Sequence, residues 1–233
     1  MKVLELFAGT RSIGKAFEER GHEVYSIDWD TSFENIDWHV DVMQVTAEDI
    51  LQRFGRPDVI WASPDCTTYS VMAISHHRTK EESGNLAPKS EYAAQCDKIN
   101  MHLHNLIMAL GPKYWFIENP RGGMRKMDFM HGLPRYTVTY CQYGEDRQKP
   151  TDIWTNHPDP RFKPTCKRGA PCHASAPRSS TVRKMKEAGM DVSHIGGTQY
   201  AQDGKDCHKE RSRIPEELCG HIVSICEDME ATA

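Results

Sequence analysis

The sequence predicts an α/β fold, a doubly wound sheet joined to a small loop-rich insertion that contains cysteines and histidines. Three observations point there. Short apolar runs alternate with segments of helical period, and that alternation favours parallel strands, because parallel neighbours need crossover connections. Glycines, carboxylates and a cysteine fall just after the apolar runs, at the sheet edge where open α/β folds bind ligands. After Thr155 the periodicity stops, and Pro, Gly, Ser, Lys and Arg take over.

Val3-Leu4-Glu5-Leu6-Phe7 reads as the first strand and runs into Ala8-Gly9; Ile13, Ala16 and Phe17 then recur at helical spacing until Gly21. Glu23-Val24-Tyr25-Ser26-Ile27 is a second strand with Asp28-Trp29-Asp30 at its end. Asp58-Val59-Ile60-Trp61-Ala62 enters Ser63-Pro64-Asp65-Cys66, and Lys113-Tyr114-Trp115-Phe116-Ile117 enters Glu118-Asn119-Pro120. Between them Tyr92, Ile99, Leu103, Leu106, Ile107 and Leu110 mark an amphipathic helix over about residues 90–110, stopped by Gly111-Pro112. Residues 136–143 and 152–155 read as a hairpin at the sheet edge around Tyr143-Gly144-Glu145-Asp146. Ile214, Leu218, Ile222, Val223 and Ile225 restore a helix, with Pro215 near its first turn.

A chain of 233 residues holds one α/β domain with a small appendage. With 38% hydrophobic and 27% charged residues it is neither globally disordered nor a membrane protein, and no apolar run approaches the roughly 20 residues that span a bilayer. Glu5 interrupts the apolar stretch a secretory leader would need, so the expected location is the cytoplasm. Its eight cysteines then read as thiols, metal ligands or a nucleophile. The net charge of −4 conceals an asymmetry: residues 121–186 carry 14 Lys and Arg against 5 Asp and Glu, the rest 15 against 28. Such a basic segment is either a polyanion contact or a solvated loop surface.

The chemistry-bearing residues sit at strand ends. Phe7-Ala8-Gly9-Thr10-Arg11-Ser12 is a small-residue turn that lets backbone approach a nucleotide-like ligand, and Asp28 could accept hydrogen bonds from a ribose. The same turn could be a plain connection, and it lacks the three glycines of a dinucleotide fingerprint. Cys66 is a nucleophile if its thiolate is stabilised, and otherwise an inert buried thiol. Glu118 at a strand end would have its pKa raised by burial toward the range of an acid/base group, or would simply cap the structure.

Taken in order, these motifs resemble those of the DNA cytosine C5-methyltransferases, particularly the compact phage and viral versions. Leu6-Phe7-Ala8-Gly9-Thr10 is similar to their cofactor loop and Ile27-Asp28 to their ribose-binding acid. Pro64-Asp65-Cys66-Thr67 resembles their Pro-Cys-Gln loop, and Phe116-Ile117-Glu118-Asn119-Pro120 their Glu-Asn signature. Tyr143-Gly144-Glu145-Asp146-Arg147-Gln148-Lys149 resembles the basic motif that touches the target base, and Arg213-Ile214-Pro215-Glu216-Glu217-Leu218 the last motif. The resemblance implies a Rossmann-like methyltransferase sheet, S-adenosyl-L-methionine as cofactor, double-stranded DNA as partner, no membrane contact and a monomer in a bacterial or phage-infected cell. It implies a catalytic domain over 1–155, a small basic recognition segment over 156–209 and a returning helix over 210–233. Cofactor contacts would come from Phe7, Ala8, Gly9, Thr10, Arg11, Ser12, Asp28, Trp29, Asp41, Ser63 and Pro64. Cys66 would attack the base, Glu118 would hold and protonate it, Asn119 would orient the Cys66 loop, and Arg147 would contact the base.

The chain departs from that pattern. Asp65 and Thr67 replace Pro and Gln, and a carboxylate beside Cys66 would raise the thiol pKa. Thr151 stands where a second Arg is expected. Two other readings stay open: an amino-methyltransferase, because Ser63-Pro64 resembles the start of a Ser-Pro-Pro-Tyr loop, and a catalytically weak DNA-binding relic of the fold. Polar residues 71–90, directly after Cys66, read as a closing loop. Cys166, Cys172, His173, Cys207 and His208 either staple the small segment through zinc or are free thiols and imidazoles. The Cys-x5-Cys-His spacing is not that of a standard knuckle, so no metal ligand is assigned; Cys96, Cys141, Cys219 and Cys226 read as core thiols.

Overall fold

Hydrophobic residues on both faces of the central strands determine the architecture, because a sheet buried on two sides must be covered by helices on both. The computed structural model describes residues 1–167, 169–173, 184–190 and 212–230. In chain order the elements are β1 (Lys2–Leu6), α1 (Ser12–Glu19), β2 (Glu23–Asp28), β3 (Trp38–His39), α2 (Ala47–Arg53), β4 (Val59–Ala62), α3 (Ile74–His77), β5 (Arg78–Lys80), β6 (Leu86–Pro88), α4 (Glu91–Leu110), β7 (Tyr114–Pro120), β8 (Arg135–Thr139), β9 (Pro150–Thr155) and α5 (Glu216–Glu230). Seven strands form the main sheet in the order β3-β2-β1-β4-β7-β9-β8. The first five are parallel, while β9 runs antiparallel to both β7 and β8.

Side-chain alternation sorts the core into two layers. Val3, Val59, Trp61, Phe116 and Ile153 pack with Ile13 and Phe17 of α1 and Leu218, Ile222 and Val223 of α5. Leu4, Leu6, Ile60, Ala62, Ile117 and Trp154 face the other way, onto Ile50 of α2 and Leu103, Leu106 and Ile107 of α4. Helix α4 starts where the Ser90 hydroxyl accepts from Ala93 N and ends at Gly111 in the left-handed conformation (φ 55°), which an L side chain would strain. Helix α2, which the sequence pattern did not reveal, is held by a reciprocal capping box between Thr46 and Asp49.

Three expectations change in detail. The strand expected over 136–143 ends at Thr139, and Tyr140–Tyr143 turns as a 3-10 helix. Residues 71–90 are α3 and the β5–β6 hairpin rather than an unstructured loop. Cys207, His208 and most of 174–211 lie outside the described residues.

Glu5 lies 2% exposed inside β1. Its Oε1 accepts from Ile13 N at 3.2 Å, at the start of α1, and its Oε2 has no partner among the described residues. A Cβ on Gly14 would come within 2.5 Å of that Oε2, so the carboxyl and the glycine fit each other. Burial pushes the Glu5 pKa up to about 7. The unfolded chain therefore ionises first, and stability falls by about 1.4 kcal/mol per pH unit between roughly pH 4.5 and 7. Glu5→Gln should remove this loss: urea midpoints of variant and parent should coincide near pH 4.5 and separate toward pH 8, with the variant the more stable.

Candidate active site

Parallel strands bring the turns after β1, β2, β4 and β7 to one edge of the sheet. The turn after β1 is unusually compact. Phe7, Gly9 and Arg11 all have positive φ (56°, 51° and 55°), and Arg11 N closes the turn on Ala8 O at 2.7 Å. The Asp28 carboxylate fastens it from below, with Oδ2 accepting from Gly9 N at 2.8 Å and Oδ1 from Asp30 N at 2.9 Å. Arg11 is buried and pairs with Glu18, while Thr10 and Ser12 hydroxyls bond each other at 2.9 Å.

Gly9 and Thr10 line a cleft of about 370 Å³, closed on the far side by Lys15, Ser32, Phe33, Glu34 and Asn35. The volume suits a nucleoside-sized ligand. Gly9 takes a positive φ of 51°, which an L side chain would strain. Next to it Trp29 is 71% exposed, leaving its indole face available for stacking. Asp28 still has acceptor capacity beyond the two amides it holds. Asp41 caps a 3-10 turn through Met43 N. Gly9 and Thr10 in the cleft, with Asp28 fastening their turn, are the residues here that could hold a nucleoside-type cofactor.

The second half of the site is built around Cys66. The loop after β4 is held from three sides. Asn119 Nδ2 donates to Pro64 O at 3.0 Å. Asp65 Oδ1 accepts from Thr67 N and Oγ1 at 2.8 and 2.7 Å, and Asp65 also takes the Tyr92 hydroxyl. Beyond Cys66, buried Arg78 donates to Thr68 O, Thr68 Oγ1, both Asp97 oxygens and Met127 Sδ, and lies over the Tyr69 ring at 4.1 Å. Gly122 and Gly123 complete the seat: a Cβ on Gly122 would fall 2.4 Å from Tyr69 O, and Gly123 N donates to that oxygen at 2.7 Å.

Strand β7 delivers Glu118 and Asn119 on opposite faces. Glu118 is buried, its Oε1 accepting from Tyr140 Oη at 3.0 Å, and Ser63 also bonds it. Burial raises its pKa, against the opposing pull of Lys149. The Cys66 thiol is pushed up to about 11, first by burial, then by the negative charges of Glu118 and Asp65, while Lys149 works the other way. Lys149 lies half-buried beside this group, its Nζ 4.4 Å from the Tyr140 ring centroid, and desolvation lowers its pKa. Sulfur, carboxyl and ammonium thus share one poorly solvated pocket. Arg147 engages Glu145 through Nε at 2.9 Å and Nη2 at 2.6 Å.

No family model matches the chain. Among curated proteins, it is 28% identical over 237 aligned positions to a "Probable DNA (cytosine-5)-methyltransferase" of Frog virus 3 (isolate Goorha), covering 97% of this chain and 100% of the relative. Over nearly its whole length the chain is thus similar to a protein described as a DNA (cytosine-5)-methyltransferase. Two solved structures share this fold: Entamoeba histolytica methyltransferase EhMeth, 11% identical with a TM-score of 0.57 over 98% of each chain, and Spodoptera frugiperda DNMT2, 11% identical with a TM-score of 0.50 over 97% of this chain and 99% of that one.

The sequence pattern did not single out Tyr140, the partner of Glu118, nor Arg78, Asp97, Lys15 or Phe33. A buried arginine in a polar stretch carries no periodic signal. Lys149 was visible as part of the basic motif, but only folding shows it beside Glu118.

Two outcomes follow from this geometry. Alkylation of Cys66, read by mass spectrometry of its peptide, should rise with a midpoint near pH 11; Glu118→Gln should speed it at pH 8 and Lys149→Met should slow it. Arg78→Met strands the Asp97 carboxylate in the interior and should cost about 3–5 kcal/mol in urea unfolding.

Proposed function

We propose that this protein methylates C5 of cytosine in DNA, with Cys66 forming a transient bond to the base. The supporting observation is that β7 ties itself to the Cys66 loop, Asn119 beside the buried Glu118 donating to Pro64 O at 3.0 Å, with the Glu118 charge also raising the thiol pKa. Bound in the adjoining cleft, S-adenosylmethionine supplies an electrophilic methyl group.

Cytosine C5 is a weak nucleophile, and addition of sulfur at C6 makes it a strong one. Cys66 must first lose its proton, and with a thiol near pKa 11 the Lys149 ammonium is the neighbouring charge that favours the thiolate. Glu118, whose burial favours the protonated form, donates to N3 of the ring and so neutralises the negative charge produced by addition. The Tyr140 hydroxyl and Ser63 hold that carboxyl in place. Once C5 has taken the methyl group, the C5 proton passes to water, N3 returns its proton to Glu118, and the C6–S bond breaks to release the Cys66 thiolate and restore the aromatic ring. In this assignment Lys149 joins Cys66, Glu118 and Asn119, while Arg147 shapes the Gly144–Lys149 turn through Glu145 and reaches the base only if DNA displaces that pairing.

Ring-face chemistry requires a base outside the stack. Val71 and Met72, 72% and 92% exposed, follow the Cys66 loop and could fill the space an extruded nucleotide leaves. Exposed Arg121, Lys126 and Arg135 supply cations for phosphate contacts. An amino-methyltransferase would need an aromatic residue where Cys66 stands.

Tritium transfer from labelled cofactor to DNA, followed by nucleoside analysis, should yield 5-methylcytosine. Cys66→Ser should abolish transfer while cofactor binding persists, and Glu118→Gln should lower the rate by about 10²–10⁴-fold. DNA containing 5-fluorocytosine should trap the parent protein covalently. Methylation by the Cys66→Ser protein at the parent rate, or methylation without any adduct on the fluorinated DNA, would refute the covalent route.

A further inference from the structure

The 3-10 turn after β8 and the segment that returns along it, residues 161–173, meet at four side chains that the catalytic reading does not use. Cys141 Sγ lies 3.1 Å from Cys166 Sγ and 3.7 Å from Cys172 Sγ. His173 Nδ1 lies 3.6 Å from Cys166 Sγ and 3.5 Å from Cys172 Sγ. All four atoms fall within 4.8 Å of one another. We propose that Cys141, Cys166, Cys172 and His173 form a structural zinc site.

Geometry and donor type both support this. A tetrahedron with Zn–S of about 2.3 Å and Zn–N of about 2.0–2.1 Å has S···S edges of about 3.8 Å and S···N edges of about 3.5 Å. Three of the six edges, His173 to Cys166 and to Cys172 and Cys141 to Cys172, match; the Cys141–Cys166 separation is shorter by about 0.7 Å, and the other two lie within 4.8 Å. Three thiolates and an imidazole select zinc over the hard cations. Two amides point at the sulfurs from outside: Gln142 Nε2 donates to Cys172 Sγ and Gln148 Nε2 to Cys166 Sγ, each at 3.3 Å. Amide donors of this kind stabilise thiolate ligands and fix their orientation. Cys166 is further held by Thr139 Oγ1, which accepts from its N at 3.1 Å.

The segment has need of such a bond. No described residue between 161 and 173 is fully buried, so little apolar area orders it. Zinc would tie it to the turn at 140–143, and Gln148 would link the site to the Gly144–Lys149 stretch that carries the half-buried ammonium. Cys141 is buried, as expected of a core thiol, and would also be the ligand on the sheet side, which is why the Cys166, Cys172 and His173 spacing alone matches no standard knuckle.

The test uses the full chain, made in zinc-supplemented medium and kept reduced. Elemental analysis should find about one zinc per chain, released by a mercurial thiol reagent. Cobalt(II) alone, added to chelator-stripped protein, should give the charge-transfer and strong ligand-field bands of tetrahedral thiolate coordination. Zinc content should fall at least about tenfold in Cys141→Ser/Cys172→Ser, and Gln148→Leu should weaken zinc about tenfold. A reduced parent chain that takes up neither zinc nor cobalt, a double variant that keeps its zinc, or a peptide map joining Cys141 to Cys166 by a disulfide in the freshly isolated protein would overturn the proposal. Should the double variant fail to fold, the cobalt spectrum of the parent chain decides alone. Because none of these readouts depends on methyl transfer, the site stands or falls separately from the catalytic assignment.

Discussion

Desolvation of one carboxyl group sets the electrostatics on which the site depends. Glu118 sits at the end of a buried strand where water solvates its charge poorly, so burial raises its pKa. Tyr140, Ser63 and Lys149 oppose that tendency without reversing it. The same lack of water makes the Cys66 thiolate costly and the Lys149 ammonium easier to discharge, so each group's protonation state depends on the other two. Such mutual dependence makes the pocket responsive to whatever enters it, because a polar ring replaces some of the missing solvation.

The period of a β-strand explains how two roles come from adjacent residues. Phe116 and Ile117 belong to opposite core layers, and the alternation carries through to Glu118 and Asn119. The first meets Tyr140 on the α5 side, and the second reaches across to Pro64 O in the neighbouring turn. A one-residue slip would exchange them. Pairing with β9 on one side and β4 on the other pins that register.

Strand ends were the legible part of the sequence. Apolar runs located β1, β2, β4 and β7 to within a few residues, and the residues that follow them do converge at one edge. Two short elements escaped: β3, at two residues, is too brief for alternation, and α2 is fixed by a polar cap rather than a long apolar stripe. Side-chain partnerships were less visible still. Whether Arg147 or Lys149 faces Glu118 depends on a turn in which Lys149 itself has φ 24°, and no residue pattern announces that. Cys141 looked like any core thiol because its neighbours in space are 25 and 31 residues away.

Arg78 shows what such a partnership does to motion. Every N–H of its guanidinium is engaged, and the aromatic ring of Tyr69 lies against its plane. A flap carrying that residue cannot swing as a whole without stranding Asp97, so the β5–β6 hairpin behaves as a buttress. Between it and the Cys66 loop, Val71 and Met72 present their side chains to solvent instead.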